Sequence, residues 1–218
     1  MNPDSRISHP MKSQDILLLL KLVALERKAA EPAYARSGAT VHLEAREDVP
    51  DSAVPADVDL ALGIDPVSVR GLSSAIGISK SEVSNALARC HANGLAKSRR
   101  NGRGPSVNRH GLGEFVSHGL RFVFPGKRLG LARGIPTCLT APVFGGIRRG
   151  AEDHPPVWAD PRGDTPGLAV EPRYKSVPDA IRGDETRYRL LAIVDSIRLG
   201  QPRERKLAIT ELQHIMDY

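Results

Sequence analysis

The sequence predicts a mainly α-helical chain that carries one small β-hairpin and ends in a pair of helices. Three observations predict it. Residues 67–97, VSVRGLSSAIGISKSEVSNALARCHANGLAK, set apolar side chains at the spacings of two crossed helices, with a glycine and a cappable serine between them. Two short extended runs follow, Leu95 to Arg100 and Val107 to Arg109, around the reverse-turn pair Asn101-Gly102. The last forty or so residues then return to helical periodicity.

The elements follow in order. Ser13 reads as the N-cap of a helix over about residues 14–29, with Asp15 in its first turn and Ile16, Leu17, Leu19, Leu20 and Val23 as its apolar side. Its continuous leucines require cover on more than one side, from a partner chain or from the C-terminal helices. Residues 31–66 hold eight acids against Arg36 and Arg46, a net −6, and their Pro, Ala, Asp and Ser content reads as a long loop with a short strand at Ala39 to Leu43. A sharper reading makes this insert an acidic flap over a basic face. In the helical pair, Gly77 stands where a helix end needs a positive φ. Ser79-Lys80-Ser81-Glu82 is a capping box, in which the Ser79 hydroxyl accepts from the Glu82 amide and the Glu82 carboxylate accepts from the Ser79 amide.

Beyond the hairpin, Asn108 caps a helix that Pro125-Gly126 ends. Residues 126–135 read as a basic, Gly-rich connection, and residues 136–178, with eight prolines, as an extended arm with short strands at Val157-Trp158 and Leu168 to Val170. Ser176 to Asp179 is a second capping-box pattern. Tyr188, Leu191, Ile193, Val194 and Ile197 mark one C-terminal helix, and Leu207, Ile209, Leu212, Ile215 and Met216 another. Seven acids balance seven bases over residues 177–218, the character of a packing or dimerisation element. The resulting organisation is a domain over 11–125 with the acidic insert at 31–66, a Pro/Gly-rich arm over 126–176, and a helical region over 177–218.

Charge is segregated. Residues 67–134 carry twelve Lys or Arg against Glu82 and Glu114, a net +10 within a chain whose total is +6. A cluster of that kind neutralises phosphates and releases counterions. On the second helix of the pair, Lys80, Ser81, Ser84, Asn85, Ala88 and Arg89 are left for solvent. These side chains are short, hydrogen-bonding or cationic, which suits a helix laid in a DNA major groove.

The helix, turn, helix and basic hairpin resemble the winged helix-turn-helix of transcriptional regulators, most closely the MarR-like type, over about a third of the chain. The resemblance implies double-stranded DNA as partner and a homodimer paired through terminal helices, reading two half-sites ~34–36 Å apart. The candidate DNA-binding residues are Ser79, Lys80, Ser81, Ser84, Asn85, Arg89, Arg99, Arg100 and Arg103. Asn85 suits bidentate pairing with adenine, Arg89 is assigned to phosphate, and the last three to the DNA backbone or minor groove from the wing. Ser73 and Ser74 are weaker candidates for phosphate.

Other chemistries have no motif. Cys90 and Cys138 form neither a disulfide framework nor a zinc spacing, so they read as reduced thiols in a cytoplasmic protein, Cys90 as a small packed side chain. The seven histidines form no HExxH, and His110, Glu114 and His118 read as a solvated helix face. No P-loop, GxSxG elbow or GxGxxG follows a strand. No run approaches the ~20 apolar residues of a membrane span. The expectation is a non-enzymatic regulator without cofactor or metal and without membrane contact. The alternative is an antitoxin-like module that binds a partner protein, motivated by the long Pro-rich arm.

Overall fold

Ten consecutive side chains of the first helix, Asp15 to Ala24, are buried, which demands cover around its whole circumference. The cover comes from the chain itself. The structure, a computed structural model, describes residues 10–30, 63–99, 104–145, 154–172, 177–181 and 183–217. These are mainly helical, with a two-stranded and a three-stranded sheet. Residues 31–62 of the acidic insert (31–66), with its expected strand at Ala39 to Leu43, lie outside the described residues, as does Ser176 of the second capping-box pattern.

Helix α1 (Ser13–Ala30) starts at Ser13 rather than after it. Its first turn is closed by Asp15, whose carboxylate accepts from the Lys12 amide at 2.8 Å. Helix α2 (Val69–Ile76) is capped by Ser68, whose hydroxyl accepts from the Gly71 amide, and stops at Gly77 with φ +69°. There the Gly77 amide donates back to the Ser73 carbonyl, a left-handed C-cap that a side chain would strain. Helix α3 (Lys80–Ala92) follows after the three residues Gly77 to Ser79, and strands β1 (Ala96–Ser98) and β2 (Pro105–Val107) form an antiparallel hairpin with Lys97 opposite Ser106.

The Asn108 side chain caps α4 (Arg109–Glu114) as its spacing predicts. A π-helical turn over Phe115–Gly119 carries the same rod into α5 (Leu120–Val123). The basic, Gly-rich stretch that reads as a connection is instead strand β3 (Arg128–Pro136). It pairs antiparallel with both β4 (Pro156–Ala159) and β5 (Thr165–Val170), which pair parallel to each other, so the three strands close on themselves. Gly134 makes closure possible: a Cβ there would lie 2.0 Å from the Trp158 carbonyl oxygen. The segment expected as an extended arm is thus a small sheet.

Helix α6 (Val177–Ala180) leads to α7 (Glu185–Leu199) and α8 (Pro202–Met216). Helix α7 buries nine residues and packs on α1, on α8 and on the 3-10 turn Cys138–Thr140 that follows β3. The apolar face read as a dimerisation surface is therefore spent inside the chain, and it supplies the cover that the leucines of α1 require. One buried carboxylate ties the sheet to this helix. Asp195 accepts from the Trp158 indole at 2.7 Å, from the Thr137 hydroxyl at 3.2 Å and from Arg198 at 2.6 Å. Tyr188 adds a hydrogen bond to the Pro136 carbonyl and a tilted ring contact with Trp158. Its hydroxyl is pushed above its ordinary range by burial. No described helix is long and apolar enough to cross a membrane.

Asp195→Ala strands a buried arginine and an indole N–H, and it should cost about 3–5 kcal/mol in chemical denaturation. Emission of the chain's single tryptophan should shift to the red in the same variant.

Candidate nucleic-acid interface

Helix α3 has two faces of opposite character. Val83, Ala86 and Cys90 point inward, whereas Lys80, Ser81, Ser84, Asn85, Ala88, His91 and Ala92 are exposed along one strip. The strip starts at the cap. Ser79 accepts from the Glu82 amide at 3.2 Å, and its hydroxyl lies 3.1 Å from that of Ser81. Ser84 donates to the Lys80 carbonyl at 3.1 Å. The hydroxyl of Ser73 is engaged by the Ile78 carbonyl at 2.6 Å, so it braces the turn instead of facing a phosphate; Ser74 stays exposed.

Only half of the expected capping box forms. The Glu82 carboxylate does not return to the cap but turns toward α1, where it accepts from the Gln14 amide, from Lys12 and from Arg89 at 2.8 Å. Arg89 is the main correction. Its guanidinium is buried, gripping Asp15 with two bonds, Nε to Oδ2 at 2.9 Å and Nη2 to Oδ1 at 2.6 Å. A planar fork matched to a carboxylate is the geometry arginine supplies best. A phosphate has no access to it. Hydrogen bonding to Asp15 pushes the Arg89 pKa up despite burial, and hydrogen bonding to Arg89 lowers that of Glu82.

These contacts lock α3 at a fixed angle on α1 and turn the strip outward. Cys90 belongs to the inward face; burial pushes its thiol up to about 12, so it is a packed apolar group rather than a nucleophile. No protein-family model, curated protein or solved structure matches the chain.

The hairpin is anchored from the other end of α1. Glu26 accepts from the Val107 amide at 3.1 Å, from Arg99 at 3.3 Å and from Arg109 Nε at 3.2 Å. Arg99 follows β1 at the tip end of the hairpin, where its amide donates to the Gly104 carbonyl at 3.2 Å, and its guanidinium reaches back to Glu26 with 36% of its side chain exposed. The tip, with Arg100, the Asn101-Gly102 turn and Arg103, lies outside the described residues. Lys97 on β1 and Arg70 on α2 are exposed cations that flank the strip in sequence. His118 and Glu114, 3.9 Å apart, are both exposed, as a solvated helix face requires.

The structure therefore brings Ser79, Lys80, Ser81, Ser84 and Asn85 onto one solvent face and removes Arg89 from it. Sequence reasoning missed Asp15, Gln14, Glu82 and Glu26 as the groups that pose the face. A signal was present: an acid directly before an apolar run is buried with that run, and a buried acid needs a cation.

Asp15→Ala leaves Arg89 buried without its main partner and should destabilise the chain by about 3–5 kcal/mol, whereas Asp15→Leu combined with Arg89→Met should recover most of the loss. Equal losses in the single and double variants, by urea denaturation, would refute the pairing. Because the folded pKa of Glu82 is depressed, its contribution is full above its ordinary value of 4.5 and fades as pH falls through the folded value. Glu82→Gln should accordingly flatten the acid limb of stability against pH.

Proposed function

We propose that the chain is a sequence-specific, double-stranded-DNA-binding transcriptional regulator whose α2, α3 and β1–β2 hairpin act as a MarR-like winged helix-turn-helix. One observation carries the reading. The solvent strip of α3 presents Lys80, Ser81, Ser84, Asn85 and Ala88 with no acid among them, while the opposite face is locked to α1 by a buried ion pair. Short side chains let the helix backbone approach the floor of a major groove ~12 Å wide, and Asn85 offers the donor and acceptor that an adenine edge requires. Ser79 and the α3 N-terminus fall where a phosphate is favoured. Lys97, with Arg100 and Arg103 of the hairpin, meets the DNA backbone. Two copies would read two half-sites; their pairing surface lies elsewhere than on α7, whose apolar face is already buried.

Selection of bound duplexes from a random pool tests this reading, and failure to enrich any sequence would sink it. On an enriched duplex, Asn85→Ala should cost ~1–3 kcal/mol while binding to random duplex is nearly unchanged. Lys97→Ala should weaken both and reduce the salt slope by about one.

A second reading, an antitoxin-like module that binds a partner protein, is favoured by a different surface. Phe122, Val123, Leu129 and Leu131 are exposed, at 71%, 54%, 43% and 66%, among Arg121, Lys127, Arg128 and Arg133. Large apolar side chains left exposed this close together in sequence are a feature of interaction surfaces. Stoichiometric copurification with a second protein, abolished by Leu131→Ser, would move the balance to this reading.

A further inference from the structure

From the contacts of Glu26 we infer that this residue, which would touch no DNA, limits the affinity for duplex DNA of any sequence by withholding Arg99 and Arg109 from phosphate. The inference rests on the DNA-binding reading above. Glu26 sits on α1, eleven residues and ~16 Å beyond Asp15 along the same buried rod. The two acids divide the work: Asp15 fixes α3, and Glu26 fixes the hairpin against the same helix. The hairpin has three paired residues in each strand, too few to hold a pose without support from its root.

The Glu26 carboxylate is mostly buried, with 12% of its side chain exposed, and both its oxygens are occupied. Oε1 takes the Val107 amide and the Arg99 guanidinium, and Oε2 takes Arg109 Nε. Arg109 is held a second time, by Asp217 at 2.9 Å, at the end of α8. The two arginines flank the hairpin, Arg99 at its tip end and Arg109 just past its root, so a free guanidinium at either place would reach DNA phosphate regardless of sequence. Phosphate contacts add affinity without information, so a carboxylate that occupies these cations lowers binding to random and preferred duplex alike. Glu26 thereby acts as a standing competitor for phosphate within the fold.

Glu26→Gln separates this role from mere support, because the glutamine oxygen still accepts from the Val107 amide while the charge that holds the arginines is gone. Arg109 stays tethered by Asp217, so Arg99 is the cation chiefly released. The variant should bind random and preferred duplex alike roughly fivefold to tenfold more tightly at 0.1 M salt, with a salt slope steeper by about one. An unchanged affinity and slope, or a loss on both duplexes, would overturn the inference. A readout without DNA distinguishes its failure from that of the regulator reading. Exchange of the Arg109 Nε–H proton with water, followed by nitrogen-15 NMR on the full chain, should accelerate in Glu26→Gln. Unchanged exchange overturns the holding contact itself. Accelerated exchange in a chain whose wild type binds no duplex overturns the withholding role together with the regulator reading.

Discussion

The bidentate pairing of Asp15 with Arg89 is the constraint on which the remainder of the architecture depends. A carboxylate with no exposed surface stands at the start of the most buried helix, and such a charge persists only with a cation seated against it. That cation comes from α3, so the docking angle of α3 on α1 follows from the geometry of one guanidinium. Val83, Ala86 and Cys90 then fill the space behind it, and the polar strip is left facing outward. A hydrophobic contact alone would permit rotation of α3 about its axis, whereas a two-bond ion pair does not.

Helix α1 repeats this device along its length. Lys21 pairs with Asp184, the N-cap of α7, at 2.9 Å. Glu26 holds the hairpin, and Arg27 donates to the Ile215 carbonyl at the end of α8. Between these polar ties run the leucines, which provide the burial but little orientation. The rod is therefore both the apolar centre of the molecule and the frame on which each neighbouring element has a registered position. The sheet is attached one layer further out, through Asp195 on α7.

Local features were readable in the amino-acid order because their causes are local. The Ser79 cap, the Gly77 stop, the Asn108 cap and the hairpin each depend on residues within a few positions of one another. Arg89 was misread because helical periodicity reports which face a residue lies on, and a side chain at the margin of that face can turn either way. Its partner is 74 residues upstream, beyond any local pattern. Strand β3 was missed for a related reason: its principal partner, β5, lies more than thirty residues on, and its glycines look like a linker until the close approach at Gly134 is seen. The apolar face of α7 was legible, but whether its cover came from the same chain or from another copy was not, since periodicity carries no address.

Closure of the β3–β5 sheet has a colloidal consequence. An open sheet of this composition, with valine, tryptophan and exposed leucines, would present unpaired backbone donors and acceptors along a sticky edge, the usual template for strand-by-strand growth into fibres. Here each strand is paired with both of the others over part of its length, which shortens the rim on which a further strand could nucleate to the stretch of β3 that pairs with β5 alone. The hairpin, three residues long on each side, offers too short a ledge to replace it. The exposed leucines lie on that stretch, where the break in register between Arg128 and Leu131 interrupts the regular template that cross-β growth requires.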